Sequence, residues 1–352
     1  MRRVCTALVV FVPLAAAAHD VSVDVSGSLI TTSDDNPRAG SVGVMASAGW
    51  DVTDSVSLFT NLGYTRDLPT QSGAQDTPPT RTSGSNVFLG ALGVLWLPAD
   101  DWMTMLTVTG SPPALVESAT TLHPPAPLPP DLNVVVDSRS WTVGALWTGT
   151  WVQPPHDGPW SSMVDAVFGA TWFEVFQQVE VPATPRGDQV RDFCAAASRT
   201  GPLCQLVRGA ATPLLQVRLG GGYTGTLFDT TDFGVEVQGF LYDRDPTDVG
   251  YFSTVNVGRG LELGSGVPVL PLALSVRPAV LHRFSRVAVK LAYQLGLYAG
   301  GLGTNHVVTL RATLKVTSAW RLQASLTGQL DATSSGLGNF GGFAVVGATV
   351  VF

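Results

Sequence analysis

Few residues of this chain have the type and spacing to do covalent chemistry. Beyond the N-terminal segment the histidines are His19, His123, His156, His282 and His306. None stands in a pattern that pairs it with a nucleophile and an orienting acid. His123 lies in a Pro-rich stretch (Pro124, Pro125, Pro127, Pro129, Pro130) without such partners. Asp243, Asp245 and Asp248 could offer oxygen ligands, but Arg244 interrupts them and the rest of a calcium loop is missing, so they read as a solvated loop. Gly220, Gly221 and Gly222 are not a phosphate loop, since neither a helix nor a Lys-Ser/Thr pair follows; glycine here marks a bend or close packing. Cys194 and Cys204 lie between polar residues with no His or second Cys pair near, and read as one loop disulfide of an oxidising compartment. No metal site and no cofactor are expected, and the chain reads as a non-enzyme.

The chemistry that remains is electrostatic. Arg218, Arg277, Arg286, Lys290, Arg311, Lys315 and Arg321 recur through the C-terminal half, each on the face opposite a run of apolar residues. Few acids share that face: Glu236 and, near the end, Asp331. Earlier in the chain the same face carries Asp24, Ser26, Ser28, Ser41, Ser47, Asn61 and Asp165. Around a common lumen this makes a basic wall opposite smaller neutral or acidic groups, a transverse field that favours anionic solutes. The plainer alternative is that these charges pair with one another and only solvate the interior.

The elements that must position these residues are strands. In 286–298 Val287, Val289, Leu291, Tyr293, Leu295 and Leu297 alternate with Arg286, Ala288, Lys290, Ala292, Gln294 and Gly296. The same period of two runs through 305–317 and 320–331 and is the strand signature. Fourteen segments follow: 21–32, 40–50, 55–66, 85–97, 102–110, 140–152, 162–178, 213–227, 232–243, 267–281, 286–298, 305–317, 320–331 and 341–352. The best of them exceed the five or six residues usual in soluble sheets and match the nine to eleven needed to cross a bilayer at a tilt. The count is about fourteen, with twelve to sixteen allowed, because 111–139 and 244–266 could hide a hairpin; Val249–Val257 alternates weakly. Short connections (51–54, 98–101, 228–231, 282–285, 318–319, and a somewhat longer one at 153–161) alternate with mostly long ones, at 67–84, 111–139, 179–212 and 244–266. Trp50, Trp102, Trp151 and Trp320 fall at strand ends beside short turns, where an aromatic girdle would meet the membrane interface.

Composition agrees. The 352 residues are 45% hydrophobic and only 13% charged, against about 25% for a soluble domain. That excludes disorder. A formal net charge of −7 argues against nucleic acid as a partner. Past the N-terminus no run of about 18 apolar residues offers a spanning helix. Residues 1–18 read as a secretory signal peptide: Arg2 and Arg3, an apolar stretch, then Ala16-Ala17-Ala18. Residues 19–352 then form one domain.

The signal peptide, the alternation of turns and loops, and the last strand together resemble a Gram-negative outer-membrane β-barrel protein of the porin-like kind. Ala344, Val346, Ala348, Val350 and Phe352 share one face of that strand. The resemblance implies an all-β, up-and-down transmembrane barrel in the outer membrane. It implies lipid as surroundings and Phe352 as the C-terminal signal read by the barrel-assembly machinery; Val350 departs from the aromatic that many members carry. The expected function is passive diffusion of small hydrophilic solutes, anion-leaning through the basic wall. Two alternatives stand beside it. One is a non-conducting surface, adhesion or scaffold protein acting through the long outer loops. The other is a transporter of hydrophobic compounds, which would call for an apolar lumen path.

Overall fold

The computed structural model describes residues 20–32, 39–68, 86–122, 127–128, 132–154, 157–196, 202–244, 272–301, 303–333 and 336–351. The proposed signal peptide, Phe352, His19, His123, His156, Asp245, Asp248 and the weakly alternating 249–257 lie outside them.

Fourteen strands form one closed antiparallel barrel. They are β1 (Asp20–Thr32), β2 (Ala39–Thr53), β3 (Val56–Leu68), β4 (Asn86–Ala99), β5 (Trp102–Leu122), β6 (Leu132–Val152), β7 (Trp160–Glu180), β8 (Ala210–Leu227), β9 (Thr231–Tyr242), β10 (Leu272–Arg283), β11 (Val287–Tyr298), β12 (Gly303–Lys315), β13 (Trp320–Thr333) and β14 (Gly336–Val351). Each pairs with its sequence neighbours, and β1 closes on β14 from Ser22↔Val351 to Thr32↔Gly341. Closure leaves no edge strand, as a bilayer with no water to satisfy backbone groups requires.

Alternation sorts the side chains. Leu92, Leu326 and Val346 are 66%, 61% and 63% exposed, and Val25, Val44, Leu106, Phe168, Val237, Leu291 and Leu310 share their outward face. A continuous apolar exterior on this scale would aggregate in water and suits hydrocarbon. Among the described residues no helix is long and apolar enough to cross a membrane; the strands cross instead. Outward aromatic rings also cover glycines: Trp160 lies over Gly225, and Trp147 and Trp102 over Gly149, so a Cβ at either glycine would strike a ring.

The connections differ from the sequence expectation. The stretch 111–139 is mostly strand: β5 and β6 pair as far as Leu122↔Leu132. Pro112 and Pro113 hid this. They sit where the β5–β6 register shifts between Ser111 and Ala114, a bulge that tolerates missing N–H groups and inverts the alternation. The outer connection 299–302 is short and holds a 3-10 turn, Ala299–Gly301, and β13 is followed by β14 after residues 334–335. The regular succession of short and long connections therefore ends before the last strands.

The wall is uneven. Strands β5, β6 and β7 have 21 residues each, whereas β9, β10 and β11 have 12. At about 3.4 Å per residue the tall side runs about 70 Å along the strand and the low side about 40 Å. The β7–β8 connection folds into two helices, α1 (Pro185–Ala195) and α2 (Pro202–Arg208). Thr184 caps α1 by accepting from the Gly187 amide at 3.2 Å, with Pro185 in the first turn. A disulfide joins Cys194 to Cys204, both buried. Arg208 donates to the carbonyls of Cys194 (2.8 Å) and Ala196 (3.0 Å), closing the end of α1. Val190 packs in a small core with Leu128, Val134 and Val179, flanked by Phe193, Leu203, Leu206 and Val207. Val134 and Val179 stand on the strand face that, lower down, carries Thr150 and Asp165 toward the lumen. The helical cap thus packs on the inner side of the tall wall.

Candidate functional site

The ladder fixes which side chains share the lumen. Asp165 pairs with Gly222, Gly222 with Glu236, and Glu236 with Arg277, so these four lie in one row across β7 to β10. Four residues toward the short turns, Lys290 of β11 stands directly opposite Arg311 of β12, and nearer the turns Lys315 stands opposite Arg321 of β13. Like charges directly opposed in a ladder destabilise it, yet the pattern occurs twice. From 263 to 330 the sequence has no acid and seven basic residues, so local neutralisation is scarce.

Ion pairs account for few of these cations. Arg283 makes a bidentate pair with Asp232 at 2.8 and 2.5 Å, and Thr226 also donates to that carboxylate at 2.9 Å. Arg218 meets Glu236 more loosely, at 3.7 Å. Arg311 donates to Gln323 Oε1 at 2.8 Å. Arg277, Lys290, Lys315 and Arg321 are exposed and form no ion pair among the described residues. Arg286 lies in the turn before β11 rather than in the strand where the sequence reading began it, so it belongs to the rim of the wall.

Above this wall, toward the outer connections, the lumenal face changes character. Gln216, Gln238, Ser275, Asn305, Thr327 and Gln329 are all buried there, beside Leu214, Leu272 and Tyr298. Gln216 donates to Tyr242 Oη at 2.9 Å, and that hydroxyl donates to the Leu272 carbonyl at 2.9 Å. Thr309 and Thr327 hydroxyls lie 3.1 Å apart. Sequence reasoning missed this belt of buried amides and hydroxyls. It saw polar residues on the lumen face but had no signal for the height at which the interior packs tightly.

Between belt and cations lies a cavity of about 400 Å³, walled by Asp165, Arg218, Glu236, Arg277 and Lys290. Its floor is glycine: Gly222 occupies a lumenal position of β8 and Gly234 one of β9, and Gly220 lies two residues farther up β8 on the same face. A Cβ at Gly220 would lie 2.6 Å from the Val237 carbonyl oxygen, so close backbone approach requires glycine there.

Trp50, Trp102, Trp151 and Trp320 all occupy outward positions at the short-turn end, joined by Trp96 and Trp160. Trp151 Nε1 donates to Asp101 at 3.2 Å. Farther up, Trp141 and Trp172 meet edge to face at 4.3 Å. Trp141 and Trp151 are ten residues apart on β6. At about 3.4 Å per residue and about 40° tilt this spans about 26 Å, close to the roughly 25 Å apolar band of such barrels. His282 Nδ1 bonds Thr231 at 2.8 Å and His306 Nδ1 bonds Tyr293 at 2.7 Å, both on outward positions away from the lumen. No group of three or more His, Cys, Asp or Glu able to hold a metal occurs among the described residues.

Known structures share this architecture. CymD, a monoaromatic hydrocarbon channel, matches with a TM-score of 0.50 at 8% identity over 96% of this chain and 90% of its own. A Pseudomonas aeruginosa FadL homologue matches with a TM-score of 0.52 at 7% identity over 94% and 89%. At such identities the likeness is one of fold. No protein-family model matches the chain, and no curated protein matches it significantly. Fold and apolar exterior together make this a closed fourteen-strand barrel of the outer-membrane type.

Proposed function

We propose that the protein is an outer-membrane channel for small hydrophilic solutes, with a preference for anions. The exposed, acid-poor wall of Arg277, Lys290, Arg311, Lys315 and Arg321 carries the reading. Cations that cost the ladder stability and find no carboxylate partner attract diffusing anions instead. Fourteen strands lie between eight-stranded barrels filled by side chains and wide sixteen-stranded porins, which suits a narrow path. The outward tryptophans hold the barrel at the interfaces, and residues 1–18 direct export. Fold likeness to a hydrocarbon channel favours an apolar cargo, but the polar belt and charged cavity supply no continuous apolar path. The tall β5–β8 side with its cap favours a second role as a binding platform outside the cell.

Single-channel recording of the refolded mature barrel under a salt gradient tests the proposal. The expected result is stable conductance with an anion-leaning reversal potential. A folded, heat-modifiable barrel with no conductance would refute the open path and leave the platform role.

A further inference from the structure

We propose that the mid-lumen cavity is a binding station for zwitterionic solutes that carry an ammonium and a carboxylate, the chemistry of small amino acids. This rests on the reading of the lumen as a solute path and adds to it a specific stop.

Three observations support it. First, the cavity is bipolar. Asp165 lies at one end of the row Asp165–Gly222–Glu236–Arg277, and Arg277 at the other, with Lys290 close by on β11. Three strand spacings separate those ends, about 14 Å between backbones at about 4.8 Å each. The long basic side chains shorten that gap, so the charged tips suit a solute of a few carbons.

Second, the charges that face the cavity are not consumed by one another. Asp165 accepts one hydrogen bond, from Thr150 at 2.7 Å, through Oδ1. Its Oδ2 leans over Gly222, 3.6 Å from where a Cβ would stand, and no ion pair holds it among the described residues. Arg277 faces Glu236 across the ladder without forming an ion pair to it, and Lys290 has none. Arg218 touches Glu236 only at 3.7 Å, and its Nε is buried with no hydrogen-bond partner. A buried donor without an acceptor is costly, and a carboxylate in the cavity would supply one.

Third, there is room. Gly222 and Gly234 put backbone where side chains would otherwise fill the space between the acids and the bases. The resulting volume of about 400 Å³ falls in the range of small-molecule sites. Pro278 next to Arg277 lacks an N–H and interrupts the β10–β11 ladder between Val276↔Leu295 and Ala279↔Ala292. The solute's ammonium would lie against Asp165, and its carboxylate against Arg277, Lys290 and Arg218 Nε. A plain anion meets only the second set, and a plain amine only the first.

The test uses three probes of one size: 4-aminobutyrate, butyrate and n-butylammonium. Binding is measured calorimetrically on the refolded mature barrel in detergent at constant ionic strength, so it does not depend on conductance. The expected result is that 4-aminobutyrate binds at least about tenfold more tightly than either one-charge probe, the factor that about 1.4 kcal/mol of extra contact provides. Asp165→Asn should bring 4-aminobutyrate down to the level of butyrate. Gly222→Leu, which fills the floor and meets only an ordinary contact at its Cβ, should abolish binding of both. Heat-modifiable migration verifies that each variant is folded. Equal binding of 4-aminobutyrate and butyrate, no effect of Asp165→Asn, or no binding of any probe would overturn the station. Zwitterion binding without conductance would instead refute the channel and leave the station standing.

Discussion

The low side of the barrel, β9 to β13, and the tall side, β5 to β8, solve different problems. The low strands are 12 to 14 residues long, little more than a crossing requires, and they carry the uncompensated cations. The tall strands run 18 to 21 residues, and a disulfide-closed helical cap packs on their inner face. One side accepts electrostatic cost on an exposed inner face; the other buries apolar groups where its strands outrun those of the low side. A wall that binds must keep charges unsatisfied, whereas a wall that supports must satisfy everything it buries.

The contrast can be broken from either side. The largest effect is expected on the low wall. Replacing Lys290, Arg311 and Lys315 together by glutamine should move the reversal potential from anion-leaning toward cation-leaning, read in bilayers under a salt gradient. An unchanged potential would mean that the ladder only solvates the lumen. On the tall side, Cys194→Ser with Cys204→Ser should cost the cap about 2–4 kcal/mol. Proteolysis between 181 and 209 should then accelerate while the barrel keeps its heat-modifiable migration. If barrel and cap fail together, the two sides are not independent. Gly220→Ala, whose Cβ would crowd the Val237 carbonyl, should destabilise the barrel by about 1–3 kcal/mol, read by urea unfolding in detergent. The smallest effect is at a turn. Phe228 and Asp229 both adopt left-handed backbone, at φ 50 and 57. Phe228→Asn with Asp229→Gly should stabilise the β8–β9 hairpin by about 1 kcal/mol, and no gain in unfolding midpoint would show that the strain is relieved elsewhere.

Much of the barrel was legible because a period of two survives wherever one face meets lipid. The segment of Val287 to Leu297 needs no other information, and the structure begins β11 one residue inside the expected start. The tall hairpin was not legible. Pro112 and Pro113 read as a loop, and the bulge they occupy reverses which residues face inward. The cap was visible only as its cysteines, because short helices packed on a strand extension leave no strong period of their own. At the candidate site, sequence placed the basic residues on one face. It did not show that Lys290 meets Arg311 or that Lys315 meets Arg321, since opposition across a ladder depends on register. Gly220 to Gly222 were recognised as close packing, but the space they leave between Asp165 and Glu236 emerges only once β7, β8 and β9 are aligned.

The seam between β1 and β14 has a consequence for how the barrel comes into being. Every other neighbouring pair of strands is also adjacent in sequence, so each hairpin can zip from its own connection. Pairing Ser22 with Val351 joins the two extremes of the described chain and carries the largest loop-closure entropy of any contact in the molecule. The hoop is therefore expected to close there last, with the other thirteen pairings already made. Small residues such as Gly27 opposite Val346 and Ser26 opposite Gly347 give that join little side-chain interlock. A pulse of oxidation during refolding of a Ser22→Cys, Val351→Cys variant would time the event, and cross-linking that precedes β-sheet formation would reverse the order.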